Sequence, residues 1–158
     1  MSDSFDALYT REAPRLVALS LSLTGNREAA RDVAQEALLR AYREWGRVSL
    51  MDRPGAWVRR VAINLATDAH RRLQRERTAV SRLAAQPAAV FDEPDIDRFW
   101  AVVRDLPDRQ RVVVALRYAD DMSVEDIASV LDITEGTVTK TLFMARRSLA
   151  ARLGEEES

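Results

Sequence analysis

Apolar residues recur along this chain every three or four positions, and strict alternation is almost absent, so the pattern predicts helices and no sheet. Residues 5–24 carry Leu8, Leu16, Leu19 and Leu23 at helical spacing, with Pro14 as the point where the segment would kink or divide. Thr24-Gly25-Asn26 reads as a stop and a restart: Gly25 suits a left-handed residue after the helix, and Asn26 caps the next one. Residues 27–45 repeat Ala30, Val33, Ala34, Ala37, Leu38, Ala41 and Trp45 as one apolar stripe. Gly46 to Gly55 is expected to be a loop, and residues 56–77 a long amphipathic helix with Val58, Val61, Ala62, Leu65, Ala69 and Leu73 inward.

The character changes over residues 78–97, where alanine and proline give way to Asp92, Glu93, Pro94, Asp95 and Asp97, and this stretch is read as a flexible linker. Periodicity resumes at Phe99, Trp100 and Val103, breaks at Leu106-Pro107, and returns over Arg109 to Tyr118. Ser123 is the expected cap of a third helix, with Asp126 completing a capping-box variant. Thr134 caps a fourth that runs to about Leu153, followed by a frayed tail from Gly154.

Composition narrows the chemistry. The chain has 158 residues, 24 basic and 25 acidic, so net charge alone points to no partner. No cysteine is present and His70 is the lone histidine, which leaves no thiolate or multi-histidine metal site. His70 has no partner constellation that would give it catalytic work. No phosphate-binding glycine loop or nucleophile elbow is found, so no catalytic residue, cofactor, metal or small-molecule substrate is expected. No apolar run is long enough to span a bilayer, and the acidic segment Met1 to Asp6 does not look like a signal peptide, so a cytoplasmic protein is the expectation. Lys140 is the only lysine; all other cations are arginine, which fits a GC-rich genome first and phosphate recognition second.

Charge is polarised along the chain. Residues 57–77 hold six arginines against two acids, residues 136–152 hold four cations and no acid, and residues 120–135 hold six acids and no cation. Each helix alone reads as a solvated face, but two basic helices, one of them in a helix-turn-helix pattern, favour nucleic acid. In that pattern Ala128 is small where the helices cross, Asp132 takes a left-handed turn position, Ile133 plugs the corner, and Val138 and Leu142 pack the second helix. Such a second helix enters the major groove, where Thr139 and Lys140 reach bases and Arg146 and Arg147 clamp phosphate. A plain helical hairpin inside a bundle is the competing reading.

Two stretches together resemble the extracytoplasmic-function (ECF) sigma factors of the sigma-70 family. Asp32-Val-Ala-Gln-Glu36-Ala-Leu-Leu-Arg-Ala-Tyr-Arg43 and Ala56-Trp57-Val-Arg-Arg-Val-Ala-Ile-Asn64-Leu-Ala-Thr-Asp68 are similar to region two. Leu106 to Arg111, Leu116-Arg117-Tyr118, Ser123 to Ala128, Gly136-Thr137-Val138 and Ala145-Arg146 are similar to region four. The resemblance implies an all-α protein of two small helical domains, residues 1–77 and 98–158, joined by the 78–97 linker. It implies a non-enzymatic subunit that binds bacterial core RNA polymerase and directs promoter-specific initiation, with an anti-sigma factor as a further candidate partner. It places polymerase contacts on Asp32, Gln35, Glu36, Leu39 and Arg43, which share one helix face. It places minus-ten recognition and melting on Arg53, Trp57, Arg60, Asn64, Asp68, Arg71, Arg72 and Arg75. Minus-thirty-five contacts fall on Thr134, Glu135, Gly136, Thr137, Thr139, Lys140, Phe143, Arg146 and Arg147. Trp57 reads equally as a base-stacking residue and as a core anchor.

The chain departs from that pattern in two places. Thr139, Thr141, Phe143 and Met144 stand where more basic side chains are usual, and Asp121 stands where glycine is usual. Phe143 or Met144 either completes the core beside Leu142 or serves a protein partner. A stand-alone helix-turn-helix repressor or activator is the alternative function; it needs only residues 100–153 and leaves the 27–45 helix face unexplained.

Overall fold

The computed structural model describes residues 4–157 except 81–89, and the middle of the expected linker lies outside the described residues. The described residues form eight helices: α1 Phe5–Thr24, α2 Arg27–Arg43, α3 Trp45–Val48, α4 Pro54–Val80, α5 Pro94–Arg104, α6 Asp108–Tyr118, α7 Val124–Leu131 and α8 Glu135–Glu157. No strand occurs among them. No described helix is long and apolar enough to cross a membrane.

Local chemistry sets the boundaries. The Ser4 hydroxyl caps α1 at the Ala7 N–H, and Gly25, at φ 66°, closes it in the left-handed conformation. Asn26 then accepts from the Ala29 N–H at 2.8 Å to start α2. Pro14 does not divide α1, which runs unbroken. Pro14 and Thr10 are both solvent-exposed, so the Thr10 carbonyl that loses its helical donor can be met by water.

The expected loop from Gly46 to Gly55 holds the one-turn α3, and Trp45 belongs to α3 rather than α2. The ends of residues 78–97 are helical, since α4 reaches Val80 and α5 starts at Pro94, a residue suited to the first turn. Asp97 accepts the Val90 and Phe91 N–H groups at 2.9 and 3.0 Å, and those bonds hold its carboxyl below the ordinary range. Arg27 in turn donates to the Val90 carbonyl at 2.7 Å. The expected frayed tail is also helical, since α8 continues through Gly154 to Glu157.

Helices α1, α2 and α4 pack into one bundle, and α5 to α8 into a second. The bundles share a continuous aliphatic core, with Leu8, Leu16 and Leu19 at one end and Val113, Leu116 and Ile127 at the other. The contact between them runs from α1 and α4 to α5, α6 and α7. It needs an inward arc on α4 wider than the predicted stripe. Arg59, Ile63, Ala66 and His70, at offsets 0, 4, 7 and 11, are all buried beside Val58, Ala62 and Ala69.

At the centre of this contact Arg59, 5% exposed, donates to the Asp120 carboxylate at 2.7 Å and pairs with Glu12 at 2.8 Å. Arg15 reaches the other Asp120 oxygen at 2.9 Å and its backbone carbonyl at 3.1 Å. Removing one member of such a buried cluster strands a charge and costs about 3–5 kcal/mol.

His70 lies buried in the same contact. Burial, with Arg111 and Arg104 nearby, lowers its pKa from 6.5 to about 4. The unfolded chain therefore binds a proton between these values that the fold excludes. Its contribution is fully present above pH 6.5 and is lost as pH falls toward 4, by at most about 3.5 kcal/mol at about 1.4 kcal/mol per pH unit. In urea titrations between pH 4 and 7, His70→Gln should flatten this part of the pH dependence; an unchanged slope assigns it to other groups.

Asp121, where glycine is usual in the resembling family, has φ 51°. Aspartate tolerates the left-handed region better than most residues but not without cost. Asp121→Gly is expected to raise stability by about 0.5–1 kcal/mol in chemical denaturation.

Candidate nucleic-acid and partner interfaces

On α2 the sequence places a compact apolar stripe opposite a polar face, and the bundle takes up the stripe. Ala30, Val33, Ala34, Ala37, Leu38 and Ala41 are buried, while Asp32, Gln35, Leu39 and Arg43 are exposed and Glu36 is half-buried. Leu39 stays 39% exposed among charges, where an isolated helix gains nothing from an apolar side chain. Glu36 accepts from Arg40 at 3.1 Å, one turn on, a pair worth only a few tenths of a kcal/mol at such a site. The structure therefore brings all five residues of this set onto one outward face.

The α4 set is also largely outward. Arg60, Asn64, Asp68, Arg71, Arg72 and Arg75 are exposed. Arg53 stands just before α4, and its guanidinium meets Asp126 of α7 at 3.3 Å. Arg71 pairs with Asp108 of α6. Burial alone would raise the Asp108 carboxyl, but hydrogen bonds from Arg71 and Arg111 outweigh it and hold the group below the ordinary carboxylate range. Trp57 is half-buried against the core with the Arg47 guanidinium 5.6 Å from its ring centroid, so it anchors and still presents an edge. A cleft of about 340 Å³ lies between Arg60, Asn64 and Thr67 on one wall and Asp108, Arg109 and Leu131 on the other.

The α7–α8 turn follows the predicted chemistry. Ser123 accepts the Asp126 N–H at 3.1 Å. Asp132 closes α7 at φ 55°, and the Ile133 N–H reaches back to the Ala128 carbonyl at 3.0 Å. Thr134 accepts the Thr137 N–H at 3.1 Å and shares a hydrogen with its hydroxyl at 2.8 Å, so neither hydroxyl is wholly free at the start of α8. The capping box is half made, since the Asp126 carboxylate is turned to Arg53.

Val138, Leu142, Ala145 and Leu149 pack inward. Glu135, Gly136, Thr137, Thr139, Lys140, Phe143, Arg146 and Arg147 face solvent. Thr141 is 9% exposed and belongs to the packed side, so its departure from a basic residue leaves the outer face unchanged. Phe143 is 60% and Met144 47% exposed, so neither completes the core. Arg147 lies over the Phe143 ring at 5.8 Å, and Arg146 donates to the Tyr118 hydroxyl at 2.8 Å.

Sequence reasoning missed the buried Glu12–Arg59–Asp120 cluster, since Arg59 entered only the charge count of residues 57–77. The available signal was its phase: Arg59 lies four residues before Ile63 and seven before Ala66, whereas the outer row runs through Arg60 and Asn64. Among the described residues no group of three or more His, Cys, Asp or Glu side chains is placed to hold a metal ion.

This two-bundle architecture, with an outward polar face on α2 and a helix-turn-helix at the end, matches known proteins along its length. Residues 8–76 match "Sigma-70 region 2" and residues 96–149 match "Sigma-70, region 4". The chain is 36% identical over 129 residues to the RNA polymerase sigma-E factor of Streptomyces coelicolor, covering 80% of this chain and 71% of that protein. It is 34% identical over 157 residues to the ECF RNA polymerase sigma factor SigL of Mycobacterium tuberculosis, covering 94% and 88%. In fold it is similar to the sigma factor RpoE co-crystallised with the anti-sigma factor NepR from Bartonella quintana. There the TM-score is 0.71 at 24% identity, over 95% of this chain and 96% of that one. The chain belongs to the ECF group of the sigma-70 family, the dissociable subunits that direct bacterial RNA polymerase to promoters.

The exposure of Phe143 has a direct consequence. Phe143→Ser should leave stability within about 0.5 kcal/mol of the parent, as for surface substitutions generally. A loss approaching the roughly 3–5 kcal/mol of a buried phenylalanine would place the ring in a core after all.

Proposed function

We propose that α2 docks core RNA polymerase through Asp32, Gln35, Glu36, Leu39 and Arg43. The observation that carries this is the outward α2 face itself: two carboxylates and an exposed leucine, set opposite a fully packed stripe. A self-contained helix-turn-helix regulator has no use for such a face, which disfavours the repressor or activator reading.

Promoter recognition divides between the two bundles. The cationic row Arg53, Arg60, Arg71, Arg72 and Arg75, with Asn64 and Asp68 among them, tracks the opened minus-ten strand. Trp57 offers a ring edge to an unstacked base. Strand opening calls for this combination of backbone cations and a stacking surface. Thr134 to Lys140 enter the major groove at the minus-thirty-five element, and Arg146 and Arg147 hold its phosphates. Glu135 discriminates rather than attracts, since a carboxylate accepts only from base amino groups. Phe143 and Met144 offer an apolar patch to an anti-sigma factor, a partner class that the Bartonella relative was crystallised with. The site of action is the cytoplasm, where polymerase works, and no chemistry of its own is assigned to the chain.

Run-off transcription with core polymerase over a promoter library tests the whole reading; no promoter-dependent product would end it. Asp32→Arg with Glu36→Arg tests the α2 face. Charge reversal at an interface costs several kcal/mol, so affinity for core should drop by about tenfold or more, with helicity unchanged. Equal binding by parent and variant removes α2 from the interface.

A further inference from the structure

Arg146, assigned above to a minus-thirty-five phosphate, is not left loose on α8. Its Nε–H donates to the Tyr118 hydroxyl at 2.8 Å, and its guanidinium carbon lies 5.8 Å from the centroid of the same ring. Tyr118 is the last residue of α6, and further rings stand behind it. Phe99 of α5 meets Tyr118 edge-on at 6.5 Å and 89°, and meets the buried Trp100 edge-on at 5.1 Å and 81°. These residues all belong to the second bundle, and the path runs from its core to its outer face.

We propose that Tyr118 is a positioning residue for promoter recognition: it holds Arg146 in the conformation that meets a phosphate beside the minus-thirty-five element. This rests on the reading of Arg146 as a phosphate contact and deepens it. An arginine carries five N–H donors; Tyr118 occupies the single one on Nε and leaves the four on the terminal nitrogens for phosphate oxygens. Thr139 and Arg146 are seven residues apart, so Arg146 stands two turns beyond the base-reading end on the same side of α8. A fixed guanidinium there sets how α8 sits in the groove, because phosphate contacts fix register and orientation.

The two clamping arginines differ in what holds them. Arg147 lies over Phe143, which is four residues back on the same helix and moves with it. Tyr118 belongs to another helix and gives Arg146 a reference outside α8. Ordering a long side chain at the moment of binding lowers affinity, and Arg146 is ordered beforehand. The hydroxyl is the part of Tyr118 that acts on Arg146, while the ring packs against Phe99. Tyr118 is 46% exposed, so its hydroxyl adds little to the fold.

The test uses holoenzyme assembled from core polymerase and saturating full-length chain, with a labelled duplex promoter from the run-off library that spans both elements. Affinity is measured across a salt series for the parent, Tyr118→Phe, Arg146→Ala and the double variant. Tyr118→Phe keeps the ring and should melt within about 2 °C of the parent. Its affinity should fall about three- to tenfold, the effect of leaving one long side chain to be ordered on binding. Its salt slope should match the parent's, since Arg146 still neutralises a phosphate. Arg146→Ala should lose more affinity and flatten the slope of log K against log salt by about 0.9. On the Arg146→Ala background, Tyr118→Phe should change nothing further.

An equal loss from Tyr118→Phe on both backgrounds means that the hydroxyl meets DNA itself, and overturns the positioning role. A melting temperature lowered well beyond the stated range marks the bond as part of the fold and also overturns it. Parental affinity for Tyr118→Phe, with Arg146→Ala weakened, overturns the proposal alone. Parental affinity and slope for Arg146→Ala overturn the phosphate reading of Arg146 together with the proposal.

Discussion

A guanidinium with almost no access to water must be met by anions, and Arg59 is met by two that lie far apart in sequence, Glu12 and Asp120. That requirement ties α1, α4 and the segment ahead of α7 together. The attraction is strong in a low-dielectric setting, but the cost of drying three charges offsets most of it. The cluster therefore specifies how the bundles meet more than it stabilises either of them. The aliphatic core around it, from Leu16 to Leu116, supplies the non-directional part of the hold.

The same constraint organises the surface. With Arg59 fixing α4 against the second bundle, Arg71 meets Asp108 of α6, Arg53 ahead of α4 meets Asp126 of α7, and a cleft forms beside Asn64. The α2 face points elsewhere and stays open. The face proposed to dock polymerase is thus open in the same arrangement that pairs Arg53 and Arg71, of the row proposed to bind the strand, with carboxylates.

Much of this was legible in the sequence because it is local. Helix caps at Asn26, Ser123 and Thr134 act within three residues, and the left-handed Asp132 follows from the turn that the motif requires. The outward set on α2 follows from a single apolar stripe of alanine, valine and leucine on the opposite side. Two kinds of feature escaped. Boundaries in weakly patterned stretches did, as at Pro94 and Gly154, where propensity for a turn or a tail gave way to a helix that neighbouring residues sustain. Pairings across the chain did too, since nothing in the spacing of Arg59 names Asp120, 61 positions away, as its partner. Thr141 was misjudged for a simpler reason: a short polar side chain reads as surface until the phase of Val138, Leu142 and Ala145 turns it inward.

The near-total use of arginine has a further consequence. Lys140 is the only lysine, and it takes no part in the contacts between the bundles. Arginine stays protonated across the range in which proteins work. Base within that range cannot unfasten the ionic seam by neutralising a cation, whereas added salt weakens its exposed members.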